Sequence, residues 1–159
     1  MHPSAQRVID AAALGGVTIE VSEFPDGTRT AEDAARAVGV DVGQIVKSLV
    51  FSVDGVVVLA LVSGANRLDE ASLARAAGHP GSAVGRVDAN AAKEATGYAI
   101  GGVPPFGHAQ PVATFVDRDL LNYESVWAAA GTPRHVFPIA PSELIALSGA
   151  TIADLRDNG

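Results

Sequence analysis

Two apolar runs rich in β-branched residues, Ile45 to Val53 and Val56 to Val62, flank the dipeptide Asp54-Gly55. Asp-Gly tolerates the positive φ angles of a two-residue turn, so the segment predicts a β-hairpin and places Lys47 on a strand. Helical signals surround it. Ser4 is positioned to cap a helix through about Leu14, which Gly15-Gly16 stops. Val17 to Val21 alternates like a strand, and Thr30-Ala31-Glu32-Asp33 resembles a capping box opening a short helix that ends at Gly39. Leu68 to Ala77 reads as a helix closed by Gly78, and Asp88 as the cap of another that ends near Gly97. Val112 to Val116 reads as a buried strand, followed by apolar runs at Ser125 to Ala130 and His135 to Ile139 around the turn Gly131-Thr132-Pro133-Arg134. Pro141 opens a last helix. Helices interspersed with hairpins, without strict alternation of helix and strand, predict an α+β fold with a mixed sheet over one domain, residues 1–159.

Composition narrows the chemistry. A chain of 159 residues with 48% hydrophobic content can bury a core as a single unit. Its net charge of −7 leaves no broad basic surface, so a nucleic-acid partner would have to be held by a local patch of Arg and Lys. The absence of cysteine removes disulfides, thiolate metal sites and a cysteine nucleophile, and fits a cytoplasmic protein. No basic-then-apolar leader and no apolar run of about 20 residues is present, so neither export nor a membrane span is expected.

Within this frame the stretch Gly101-Gly102-Val103-Pro104-Pro105-Phe106-Gly107-His108 stands out. Proline fixes φ, and glycine removes the Cβ that would keep another molecule from main-chain N–H groups. A structural turn would explain one or two such residues; four of them, with Phe106 as a core pin or a stacking surface, point to a ligand loop. Lys47 heads the second feature, Gln44-Ile45-Val46-Lys47-Ser48-Leu49-Val50-Phe51. A strand lysine can snorkel from a sheet edge, but these apolar neighbours promise burial, and a buried ammonium needs an anionic or dipolar partner. The two features together suggest a pocket for an anion or a polarised carbonyl.

Other motifs fall away. His2, His79, His108 and His135 show no metal-ligand spacing, so neither a metal nor a cofactor is expected; His108 and His135 adjoin candidate loops and are retained as substrate contacts. The chain has no Gly-Lys-Ser phosphate loop and no Gly-x-Ser-x-Gly elbow. Arg29, Arg67, Arg75, Arg86, Lys93 and Arg134 are scattered, and only folding could gather them.

The order Arg29-Thr30-Ala31-Glu32-Asp33-Ala34-Ala35, the Lys47 segment, Ser63-Gly64-Ala65-Asn66-Arg67-Leu68, Gly97-Tyr98 and the Gly101 to His108 loop resembles the YbaK/EbsC family. These are free-standing relatives of the editing domain of bacterial prolyl-tRNA synthetase, and the resemblance runs from about Glu20 to Leu155. It implies a compact α+β domain around a mixed, barrel-like sheet. It also implies a trans-acting deacylase that hydrolyses the ester of a mischarged tRNA, often a proline tRNA carrying cysteine or alanine. The family's Gly-x-x-x-Pro loop falls on Gly101 to Pro105 and its pocket lysine on Lys47. Its pocket-closing turn falls on Ala130-Gly131-Thr132-Pro133, where this chain has fewer glycines than is usual.

The site so implied has Lys47, Gly101 and Gly102 as catalytic residues. Ser48, Pro105, Phe106, Gly107, His108, Gly131, Thr132 and His135 are its substrate contacts. Loop N–H groups at Gly101, Gly102 and Phe106 are candidate oxyanion donors. The attacking group is water, a substrate thiol or the ribose hydroxyl, so no protein nucleophile is required. Expected partners are the 3′ end of the tRNA and, as helpers for a weak encounter, prolyl-tRNA synthetase or an elongation factor; a monomer is the favoured state. The alternative is a module that binds an aminoacyl-tRNA end or a synthetase without turnover. A small-molecule esterase ranks third.

Overall fold

The structure, a computed structural model, describes residues 1–28 and 30–157. Arg29, the first residue of the ordered motifs, lies outside the described residues. The elements run α1 (Pro3–Leu14), β1 (Ser22–Glu23), α2 (Ala31–Val38), β2 (Val46–Val53), β3 (Val56–Ser63), α3 (Glu70–Ala76) and β4 (Val84–Arg86). There follow α4 (Ala89–Thr96), β5 (Ala113–Asp117), β6 (Val126–Ala129), β7 (His135–Ile139), α5 (Pro141–Ser148) and β8 (Thr151–Ala153).

The hairpin forms around Asp54 and Gly55, whose φ angles of 52° and 80° are those the turn demands. Its register runs from Val46 opposite Ser63 to Val53 opposite Val56. β2 and β3 sit inside a five-stranded sheet of order β4-β2-β3-β5-β8. β4 joins β2 antiparallel, whereas β5 joins β3 and β8 joins β5 in parallel. β3 reads as an unbroken apolar run because both its faces are covered. Leu59 and Leu61 point into the main core with Phe137, Leu144, Val8 and Ala12, while Val58, Ala60 and Val62 meet Leu73 and Ala74 of α3. Full burial of each leucine contributes about 1.5–3 kcal/mol.

A second sheet, β1-β7-β6, is antiparallel and packs across the main core. A single parallel bridge, Ile45 to Trp127, connects it with the start of β2. The α+β class and the mixed sheet are as expected, but the barrel does not close: the strands divide into two sheets joined at that bridge.

Local chemistry sets most helix ends. Thr30 Oγ1 accepts from Asp33 N and caps α2, Asp88 caps α4, and Gly39, Gly97 and Gly149 close α2, α4 and α5 in the left-handed conformation. α1 begins two residues earlier than expected. His2, not Ser4, is its cap, because the imidazole Nδ1 accepts from Ser4 N at 3.0 Å and Pro3 takes the first helical position. Val17 to Val21 is not a strand. Its alternation reflects packing of Val17, Ile19 and Val21 on the core, and pairing begins only at Ser22. No helix among the described residues is long and apolar enough to cross a membrane.

Candidate functional site

Lys47 is the second residue of β2, on the strand face that carries Leu49 and Phe51. The neighbouring strand turns away at Ser63, which leaves room for the ammonium to reach the turn beyond it. Lys47 Nζ donates to the Asn66 carbonyl at 2.5 Å. Burial pushes its pKa below the usual lysine value, an effect opposed by the negative charges of Glu32 and Asp117.

The turn itself is held from below by Asp117, only 1% exposed at the end of β5. One carboxylate oxygen of Asp117 accepts from Ser63 N at 3.1 Å and from Asn66 Nδ2 at 2.8 Å; the other accepts from Asp119 N at 3.0 Å. Asn66 Nδ2 also donates to Asp119. Ser63 Oγ donates to the Gly43 carbonyl, and a Cβ on Gly64 would lie 2.4 Å from the Val42 carbonyl oxygen, so only glycine fits there. The lysine is therefore aimed by a built network. Asp117 and Asn66 are the residues that sequence reasoning passed over as site components.

The Gly/Pro loop runs from the C-cap of α4 towards β5. Its inner side is anchored. Val103, Pro104 and Pro105 are buried, and Phe106 meets Phe137 edge to face with ring centroids 5.8 Å apart. Phe106 is thus the core pin and not the stacking surface. His108 Nε2–H donates to the Pro104 carbonyl at 2.7 Å, latching the loop, and burial lowers the His108 pKa against the effect of that bond. The tip is open: Ile100 is 52% exposed and Gly101, at φ +93°, faces the same hollow as Lys47.

That hollow has a volume of about 480 Å³. Apolar groups from α2, β2 and β6 form most of its wall, among them Ala31, Ala34, Ile45, Val46, Trp127 and Ala128. Lys47, Ser48, Glu32, Thr28 and Gly101 supply the polar groups. The Ser48 hydroxyl is the one buried side-chain polar atom without a partner among the described residues. A buried hydroxyl left without a bond is costly, and a bound polar group would relieve it.

The remaining candidates lie elsewhere. Gly102 N–H donates to the Ala99 carbonyl at 3.0 Å, which occupies it within the turn. The missing Cβ at Gly102 is what matters, since that atom would stand 2.6 Å from Thr132 Cα and 2.8 Å from the Gly131 carbonyl carbon. The loop and the 131–134 turn therefore press backbone to backbone. Gly131 in turn admits α1, its absent Cβ lying 2.6 Å from the Ser4 carbonyl oxygen.

His135, 4% exposed, lies 2.6 Å from Thr132 Oγ1 through Nδ1 and 3.2 Å from Glu23 through Nε2. It ties β1 to the turn and does not line the Lys47 hollow. Phe106, Gly107 and His108 border a separate depression beside α5. Among the described residues no cluster of three His, Asp or Glu side chains is placed to hold a metal ion.

The fold and the sequence together place the chain in a known group of domains. Residues 25–147 match the aminoacyl-tRNA editing domain family, and the chain belongs to that family. It is 32% identical to YwhH of Bacillus subtilis over 126 residues, 79% of this chain and 78% of that protein. It is 28% identical over 128 residues to EbsC of Enterococcus faecalis, named provisionally as a Cys-tRNA(Pro)/Cys-tRNA(Cys) deacylase, covering 79% and 76% of the two chains. A crystal structure described provisionally as a trans-editing enzyme for prolyl-tRNA synthetase superposes with a TM-score of 0.92 at 49% identity, covering 99% of each chain.

Proposed function

We propose that this chain is a trans-acting deacylase that cleaves the ester between a wrongly attached amino acid and the 3′-terminal ribose of a tRNA. The carrying observation is the pairing of the Lys47 ammonium with the open Gly101 backbone across one largely apolar hollow. An ester carbonyl seated between them would gain hydrogen-bond donors where its oxygen becomes negative, in a site whose walls exclude water. In the reaction, water or a nucleophile of the substrate attacks the carbonyl carbon. The carbon–oxygen bond to the ribose breaks and the ribose oxygen takes the proton that the nucleophile gives up; the acyl group leaves as the free amino acid where water attacks, and as a cyclic thioester where the substrate's own thiol attacks.

Four polar groups of the hollow have a role in this reading. Lys47 and the Gly101 N–H stabilise the oxyanion, the unpartnered Ser48 hydroxyl binds a substrate oxygen, and the Glu32 carboxylate faces the α-ammonium of the amino acid. The apolar wall of alanine and valine suits a small side chain such as alanine or cysteine, and proline tRNA is the carrier suggested by the relatives. Gly102, Gly131, Thr132 and His135 hold the loop in place, and His108 latches it from behind. The work would be done in the cytoplasm by a monomer meeting its tRNA transiently.

The test is a panel of mischarged tRNAs incubated with the protein. Release of alanine or cysteine from proline tRNA well above the spontaneous rate supports the reading. No release from any member of the panel overturns it, and saturable tRNA binding without cleavage would assign the chain to a binding role.

A further inference from the structure

The Lys47 hollow continues into a second groove of about 410 Å³, and the two share Lys47, Ser48, Leu49, Ile100, Gly101 and Val103. The extension has a different character. Arg67, from the turn after β3, and Arg86, at the end of β4, line it together with Lys47; Glu70 is the only carboxylate on its wall among the described residues. Three cations against one anion make a locally positive channel on a chain whose net charge is −7.

Neither arginine is in an ion pair among the described residues, and both are exposed. The apolar part of its wall includes Leu49, Phe51, Leu68 and Val87, and Ile100 stands exposed at the junction with the hollow. Arg86 is held in register opposite Phe51 on β2, so the cation and the ring share one stretch of sheet edge.

Positive side chains that have no protein partner, alternating with apolar surface along a groove, fit a single-stranded polynucleotide. Phosphates lie against the guanidinium groups and bases against the apolar wall. We infer that this groove is the track for the phosphodiester backbone of the unpaired 3′ end of the tRNA. Arg67 and Arg86 receive phosphates upstream of the ribose whose ester lies at Lys47. The inference rests on the deacylase reading for the identity of the nucleic acid, but the binding it describes is measurable without catalysis.

The experiment measures binding of a fluorescent single-stranded RNA ending in CCA with a free 3′-hydroxyl to the full chain, across a salt series. It uses wild type, Arg67→Gln/Arg86→Gln, Glu70→Gln and, as a control for net charge, Arg118→Gln, an exposed arginine outside the groove. Two lost phosphate contacts in a single strand should reduce the slope of log affinity against log salt by about 1.4 and weaken binding about tenfold or more in low salt. Glu70→Gln should tighten binding by about twofold or more, since a like-charged neighbour of the phosphates is removed. Arg118→Gln should change neither quantity.

A parallel assay follows hydrolysis of an aminoacyl ester of adenosine, which carries no phosphate. The double arginine variant should cleave it at the wild-type rate. An unchanged salt slope in the double variant overturns the inference, as does equal weakening by Arg118→Gln or equal binding of a blunt duplex. If neither ester is cleaved by wild type yet the double variant loses RNA binding and slope, the deacylase reading fails and the groove assignment stands.

Discussion

Replacing Asp117 by Asn tests whether the carboxylate beneath the Ser63–Asn66 turn is what aims Lys47. The carboxylate accepts three hydrogen bonds, from Ser63 N, Asn66 Nδ2 and Asp119 N, in a site 1% exposed. An amide of the same shape has one accepting atom. In its cheaper orientation the NH2 group faces Asp119 N, so one bond is lost outright and the other two pass from a charged to a neutral acceptor. Bonds to charged groups contribute about 1.5–3 kcal/mol and neutral ones about 0.5–1.5 kcal/mol, and relief of the buried charge offsets part of the difference. A net destabilisation of about 2–3 kcal/mol is expected, which lowers Tm by about 4–12 °C in a chain of this size.

Calorimetry measures that loss; single-turnover deacylation well below Tm measures the consequence for Lys47. The rate should fall about tenfold as the lysine loses its ordered acceptor, a displacement of the kind that positioning arguments predict to be costly. A further signature separates aiming from folding. Asp117 raises the Lys47 pKa, so its neutralisation should move the alkaline limb of the rate profile to lower pH. A variant with wild-type Tm, rate and pH profile would refute the network as the support of the site.

Three other outcomes follow from the same geometry. Gly102→Ala drives a Cβ into the backbone of Gly131 and Thr132; it should cost about 1–3 kcal/mol in denaturant titrations and reduce deacylation far more than Gly16→Ala, which strains only a local φ of +81° and meets nothing within 4 Å. His108→Gln should leave the deacylation rate near wild type while changing the acid limb of stability. The native pKa of His108 lies below its unfolded value of 6.5, so below that pH the unfolded chain binds more protons, and the contribution present above pH 6.5 is lost as pH falls towards the lowered native value. Stability measured from pH 7 to 4.5 should fall less steeply in the variant; equal slopes would contradict the burial of the ring. In the wild type, deacylation corrected for spontaneous ester hydrolysis should decline through an alkaline limb below pH 10.5, because burial lowers the pKa of the Lys47 ammonium, the group proposed to stabilise the oxyanion. A rate that stays flat to pH 10.5 would count against that role.

The parts of the fold legible in the sequence are those written in local chemistry. Asp54-Gly55, Thr30, Asp88, Pro141 and the left-handed glycines 39 and 97 act on their own neighbours, and each sits where its turn or cap requires. Leu68 to Ala77 was legible only in part: the helix starts at Glu70, because Leu68 is drawn into a bridge with Arg156 from the far end of the chain. β4 and β8, three residues each, are too short to show a period of two. The mixed pairing of β3, β5 and β8 depends on contacts that no local pattern encodes.

The site divides in the same way. Lys47 and the Gly101 loop were visible because unusual residues crowd a short stretch. Asp117 was not, since its partners lie 54 and 51 residues away and an aspartate at a strand end looks like ordinary solvation. His108 and His135 drew attention as titratable groups beside loops; folding turns both into struts, His135 buried and His108 half-buried. Arg67 and Arg86 looked like scattered charge until β4 brought them to one groove with Lys47.

The most direct test of the account is single-turnover deacylation of mischarged proline tRNA by Lys47→Ala beside wild type, with Tm recorded for both. Lys47 is half-buried and makes one side-chain hydrogen bond, to Asn66, so its loss should leave the fold standing. Removing a donor aimed at a developing oxyanion reduces rates by about 10²–10³-fold, and the variant should approach spontaneous hydrolysis at nearly unchanged Tm. Wild-type turnover by Lys47→Ala would contradict the claim that this lysine carries the chemistry.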